Sequence, residues 1–128
     1  MHPTDEVLDP DTVRARLSAE LPHWRLEDGL LCRRYRTGGW RATLMVVNVI
    51  GHLAEAGWHH PDLAVSYATV DVRLSTHSAG GITGKDFALA RQIEAVVGWR
   101  PQQEPGNPLE GPPQGDPAQR YIVHDGAA

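Results

Sequence analysis

Apolar and polar positions along the chain predict three helices and two hairpins, in the order α-β-β-α-β-β-α. Asp9-Pro10 opens the first helix, because Asp is a good N-cap and Pro suits the first helical position. Val13, Leu17 and Leu21 recur every four residues, giving one stripe that ends at Pro22. Trp24-Arg25-Leu26 reads as a short strand, Glu27-Asp28-Gly29 as a turn, and Leu30 to Tyr35 as the returning strand. Thr37-Gly38-Gly39 ends that hairpin and offers an N-cap.

Trp40 to Gly57 is predicted as the longest helix, with Trp40, Leu44, Val47, Ile50, Leu53 and Ala54 inward. Its β-branched run, Val46-Val47-Val49-Ile50, would suit a strand; the length and the 3.6-residue period decide for helix. Pro61 pushes His60 towards extended geometry. In residues 63–77, Val65 and Tyr67 share one parity, and Val70, Val72 and Leu74 the other. A tight turn near Ala68-Thr69 reconciles the two sets as a hairpin. Gly80-Gly81 is a loop, and Thr83-Gly84-Lys85-Asp86 is a capping box. The last helix then runs to about Gly98, with Phe87, Ala90, Ile93 and Val97 inward. The predicted class is α+β: two layers, a four-stranded antiparallel sheet with helices on one face.

Composition adds a boundary. Six of the ten prolines follow Arg100, so residues 101–120 can form neither a long helix nor a central strand. The expected division is a domain over 1–100 and a Pro-rich tail over 101–128. Arg120-Tyr121-Ile122-Val123 is an apolar island in that tail, either a loose end or a segment docked on the body or on a partner's sheet edge. The 128 residues suit one domain, and a net charge of −4 argues against direct binding of a nucleic-acid backbone. Cys32 is the lone cysteine, which excludes an intramolecular disulfide or a thiolate metal cluster and fits a reducing cytoplasm. No run of some twenty apolar residues predicts a membrane span, and the acidic stretch Met1 to Glu6 lacks the apolar core of a signal peptide.

Histidine is the residue type that points to chemistry. His59 and His60 follow a helix and precede Pro61, while His77 lies at the far end of the second hairpin. A hairpin can return His77 beside the first two, and imidazoles so gathered can act as acid and base near neutral pH. His2, His23, His52 and His124, taken singly, read as surface or satisfied core residues. Glu55 has a plain role as a helix-end carboxylate, Asp86 as the capping acid, and Tyr67 as a strand residue with one wet end. Zinc is the alternative for three histidines. Against it, adjacent ligands in an extended segment point to opposite sides, and no helical His-x3-His pair is present. There is no Gly-x-Ser-x-Gly elbow, and no phosphate-binding Gly-rich loop follows a strand.

Together these residues resemble the pterin-4a-carbinolamine dehydratase family. The resemblance lies in Glu55-x3-His59-His60-Pro61-x5-Tyr67-x9-His77-x8-Asp86, supported by Ser75-Thr76, Gly81-Ile82-Thr83 and Trp24. It covers about residues 9–100 and implies the α+β fold read above. The implied activity is dehydration of 4a-hydroxytetrahydrobiopterin to quinonoid dihydrobiopterin and water, without metal or organic cofactor. By resemblance His59, His60 and His77 line the pterin pocket, with His59 and His77 as the proton-transfer pair and His60 positioning the substrate. Glu55 and Asp86 would orient or charge-balance the imidazoles, and Trp58, Tyr67, Ser75 and Thr76 would bind the pterin. A homodimer or homotetramer is implied, with no nucleic acid or membrane as direct partner. In the same family some members double as dimerisation cofactors for a homeodomain transcription factor, and some bacterial pterin dehydratase-like members resemble Rubisco assembly factors without the activity; the 101–128 tail would be the place to hold a protein partner. Two features depart from the compact family pattern: that tail, and Trp58, an indole that could stack on a pterin ring or fill its place.

Overall fold

The computed structural model describes residues 6–113 and 115–125. The readings of residues 1–5, His2 among them, lie outside these. The seven expected elements form in the expected order. Helix α1 (Pro10–Glu20) starts where Asp9 accepts from the Thr12 amide, and it buries Val13 and Leu17. Strands β1 (Arg25–Glu27) and β2 (Leu30–Thr37) join through Asp28 and Gly29, both at positive φ, as a two-residue hairpin turn requires.

Helix α2 spans Trp40–Gly57, as the sequence predicts, but it buries a different stripe. Ala42, Thr43, Val46, Ile50 and Ala54 face the core, while Trp40 and Leu44 are exposed. Apolar residues occupy nearly every side of this helix, so its pattern alone could not choose the face. Thr43 is drawn inward by polar contacts: its hydroxyl lies 2.8 Å from that of Thr37 and donates to the Tyr67 carbonyl at 2.9 Å. Thr37 therefore ties the start of the helix to β2 without capping it; Gly39 is the N-cap and offers no side chain.

Strands β3 (Asp62–Ser66) and β4 (Thr69–Leu74) pair through a turn at Tyr67-Ala68, one residue earlier than predicted. Their register sets Asp62 opposite Arg73, so the segments carrying His59-His60 and His77 leave the sheet at the same end. Val70, Val72 and Leu74 are fully buried, in one core cluster with Phe87, Ala90, Ile93 and Val97 of α3 (Gly84–Val97). The sheet order is β1-β2-β4-β3, all antiparallel. No helix among the described residues is long and apolar enough to cross a membrane.

Beyond Arg100 the chain is anchored. It turns at Pro101–Gln103 and Pro117–Gln119, then adds a short strand, β5 (Ile122–Val123), to the sheet. β5 pairs antiparallel with Arg36 and Thr37 of β2, beyond the reach of the three-residue β1. Of the two readings of the apolar island, docking on the body is the one realised. The segment fits closely: the Gly38 amide donates to the Tyr121 carbonyl at 2.9 Å, and a Cβ on Gly38 would collide with the Arg120 carbonyl.

Arg33 joins this segment to the core. Its side chain is 7% exposed and stacks over the Tyr35 ring. Nε donates to Glu94 at 2.9 Å and Nη1 to Asp125 at 2.6 Å. Glu94 Oε1 also accepts from Trp24 and from Tyr35, each at 2.8 Å. Burial raises the affinity of the Glu94 carboxyl for its proton, but the Arg33 hydrogen bond and charge, with Tyr35 and Trp24, hold it below its ordinary value overall. Burial and the adjacent Glu94 charge push the Tyr35 hydroxyl well above its usual range, so it stays a donor.

Candidate active site

Asp86 organises the histidine end of the sheet. It is the third residue of α3 and fully buried. Oδ2 accepts from the Thr83 amide at 2.9 Å and from the Thr76 hydroxyl at 2.8 Å. Oδ1 lies 2.7 Å from Nε2 of His59. Every neighbour of this carboxylate is thus a donor, which assigns the proton of a neutral His59 ring to Nε2 and leaves Nδ1 as the acceptor. Capping and orienting are done by separate oxygens of one side chain.

His59 lines a cavity of about 630 Å³ between the end of α2 and the start of α3. Its walls are largely apolar, from Leu53, Ala56, Ala88 and Leu89, with Trp58 and Lys85 also contributing. The volume is in the range of small-molecule sites. The His59 side chain is 15% exposed, so one edge meets the cavity while the other is fixed to Asp86.

His60 occupies a wetter position, its Nε2 2.7 Å from Oε1 of Glu55, with both side chains substantially exposed. Trp58 meets the His60 ring edge-on, with centroids 5.1 Å apart. The indole is 76% exposed, so it forms a rim and does not fill the cavity. Trp58 holds φ 52° and ψ 48°, the left-handed conformation usually given to glycine, which turns the chain out of α2 so that the His59 amide bonds the Ala54 carbonyl. His77 follows Thr76 in an exposed loop closed by the Thr76–Gly81 bridge. Its ring hydrogen-bonds to none of the described residues. Ser75 is half-buried, also without a side-chain partner among them.

The structure therefore brings Glu55, Trp58, His59, His60, Ser75, Thr76, His77 and Asp86 to one end of the β3–β4 hairpin. Tyr67 is at the other end, about 16 Å away along five residues of strand, with its hydroxyl beside Gly39. Within one chain it does not join the site. Thr83, a helix cap and part of the resemblance in the sequence, has its hydroxyl 2.8 Å from that of Thr76, so it steadies a group that holds Asp86. Among the described residues no three His, Cys, Asp or Glu side chains are placed to hold a metal ion.

The profile of the family described as Pterin 4 alpha carbinolamine dehydratase matches residues 6–96. A protein of Aquifex aeolicus, provisionally named a pterin-4-alpha-carbinolamine dehydratase, is 43% identical over 90 residues, 70% of this chain and 90% of its own. A Streptomyces coelicolor protein with the same provisional name is 44% identical over 93 residues, 72% of this chain and 91% of its own. The crystal structure of a transcriptional coactivator/pterin dehydratase from Brucella melitensis superposes with a TM-score of 0.66 at 27% identity, covering 71% of this chain and 98% of that one. A pterin dehydratase-like protein identified as a RuBisCO assembly factor in the alpha-carboxysome shares the fold, with a TM-score of 0.52 at 21% identity over 60% of this chain and 92% of its own. The chain belongs to the pterin 4 alpha carbinolamine dehydratase family.

Proposed function

We propose that this protein dehydrates 4a-hydroxytetrahydrobiopterin to quinonoid dihydrobiopterin, using His59, His60 and His77. The observation that carries the reading is His59, held by buried Asp86 with its second nitrogen free at the edge of a small-molecule-sized cavity. In the reaction the C4a–O bond breaks and the hydroxyl leaves as water, taking a proton from an imidazolium. A ring-nitrogen proton passes to a neutral imidazole, and the electrons of that N–H bond form the new C=N bond. Nδ1 of His59 suits the acceptor, with Asp86 balancing the charge the ring gains. His77, whose ring is uncommitted, suits the donor. His60, tethered by Glu55 and flanked by Trp58, suits positioning of the pterin. Such acid–base help is worth about 10²–10⁴ in rate. No metal or organic cofactor enters this scheme, and residues 1–100 are the unit that carries it.

A stopped-flow assay with freshly generated 4a-hydroxytetrahydropterin tests the reading. Wild type should accelerate water loss, and the His59→Ala/His77→Ala double variant should not. A folded wild type without acceleration would transfer the case to a second reading, a non-catalytic assembly or binding protein. That reading draws on Trp40, Leu44 and Met45, which α2 leaves exposed in one chain. A protein partner, or a second copy in a homodimer or homotetramer, would bury them. Tyr121-Ile122-Val123 is less suited to capture a partner, being already engaged with β2.

A further inference from the structure

A second cavity, of about 600 Å³, shares no lining residue with the histidine site. It lies between the helical layer and the returning C-terminal segment. Val46 and Val49 of α2, Val96 of α3 and Ile122 of β5 supply apolar walls. Arg100, Arg120 and His124 also line it, and no Asp or Glu does. In a chain of net charge −4, that is a local reversal of sign. Neither Arg100 nor Arg120 makes an ion pair with any described residue. The nearby carboxylates of Glu94 and Asp125 are both engaged with Arg33. His124 is held below its ordinary value by burial and then by the charges of Arg100 and Arg33, in keeping with a positive local field.

The far wall is fixed in place. The Gly38–Tyr121 hydrogen bond and the β5 pairing hold one side. On the other side Gly111, at φ +80°, packs so closely on Gln102 that a Cβ there would force the Gln102 amide to move. All but three of the lining residues lie beyond residue 96, where the family profile ends, so the cavity belongs to this chain's own extension.

We propose that this cavity binds an amphipathic organic anion, a carboxylate carried on an aliphatic body. Apolar walls would take the body, and the two uncommitted guanidiniums would take the carboxylate, a group their planar fork matches. The cavity volume is typical of small-molecule sites.

Titration of the full chain with decanoate, by calorimetry and amide NMR, tests this. Saturable binding is expected, with shifts centred on Val96, Ile122 and Val123. Decanol, of similar apolar body but neutral, should bind at least tenfold more weakly. The Arg100→Gln/Arg120→Gln variant should lose tenfold or more in decanoate affinity while keeping the wild-type NMR pattern. Val96→Glu, which places a carboxylate in the wall, should lose affinity in the same way. Lys85→Gln, at the other cavity, should bind as wild type does. The proposal is overturned if millimolar decanoate gives no saturable binding, or if decanol and the double-Gln variant both match wild-type decanoate binding. Shifts centred on Ala88 and Leu89 would also overturn it.

Discussion

Asp86 meets His59 at 2.7 Å with one carboxylate oxygen and spends the other on Thr76 and Thr83. The first contact serves the ring and the second serves the helix. Replacing Asp86 with Asn separates them. The amide oxygen can still accept from Thr83, but the amide nitrogen would face Nε2 of His59 and force the other tautomer. Turnover should fall by about 10²–10⁴, the general acid–base range, with stability lowered by about 1–3 kcal/mol. Stopped-flow turnover beside urea unfolding would show both. Wild-type turnover in a folded Asp86→Asn would remove the tautomer from the mechanism.

His77→Ala should cost about 10²-fold in turnover and almost nothing in melting temperature, because its side chain is exposed. Retained turnover would leave His59 to work with a different donor.

Trp58→Gly should raise KM several-fold and leave kcat nearly unchanged. The indole stands at the rim against His60, and no acid–base role is assigned to it. Folding should not suffer. A non-glycine residue in the left-handed region costs roughly 1–2 kcal/mol, and glycine returns roughly 0.5–1 kcal/mol of that as chain entropy. An unchanged KM would take Trp58 out of substrate binding.

Glu94 predicts how stability depends on pH. Its folded-state pKa lies below the ordinary value of 4.5, so the unfolded chain binds its proton first. The stabilisation is complete above about 4.5 and is lost as pH falls through that value towards the lower folded one. Glu94→Gln should flatten this acid limb and cost about 1–3 kcal/mol at neutral pH. Urea unfolding from pH 7 to pH 3 measures both, and an unaltered limb would assign the acid sensitivity elsewhere.

A Pro-rich tail alone suggests that deleting residues 103–128 would cost little. Arg33 changes that expectation, because the deletion strips a buried guanidinium of Asp125. The body should still fold, since Glu94 remains, but with a loss of about 1–3 kcal/mol. Asp125→Asn should reproduce much of that loss, as read by thermal melting. A truncated chain as stable as the whole would mean that the Asp125 pair contributes nothing net.

What could be read in the sequence was what local chemistry determines. The Asp9 cap, the Thr83–Asp86 capping box and the Asp28-Gly29 turn each act within four residues, and each is present. The ends of α2 were legible for the same reason, but its buried face was not. That face is set by β2 and the Tyr67 turn, through Thr37 and Thr43. Glu94 gave no signal at all: its partners Tyr35, Arg33 and Trp24 are 59, 61 and 70 residues away. At the candidate site, the spacing of the histidines was legible through hairpin return. The turn near Ala68-Thr69 also set Tyr67 at the far end of that hairpin; only the resemblance put it with the histidines, because membership of a motif does not say which end of a strand a residue occupies.

The short β5 strand has a consequence for behaviour at high concentration. β1 covers only Leu30 to Cys32 of the eight-residue β2. Without β5, the stretch at Arg36 and Thr37 would offer bare backbone donors and acceptors to any passing chain. Exposed strand edges of that kind template edge-to-edge association. A chain cut before Arg120 should therefore precipitate more readily than its loss of stability alone accounts for. The C-terminal extension, in this light, is a sheath over an adhesive edge.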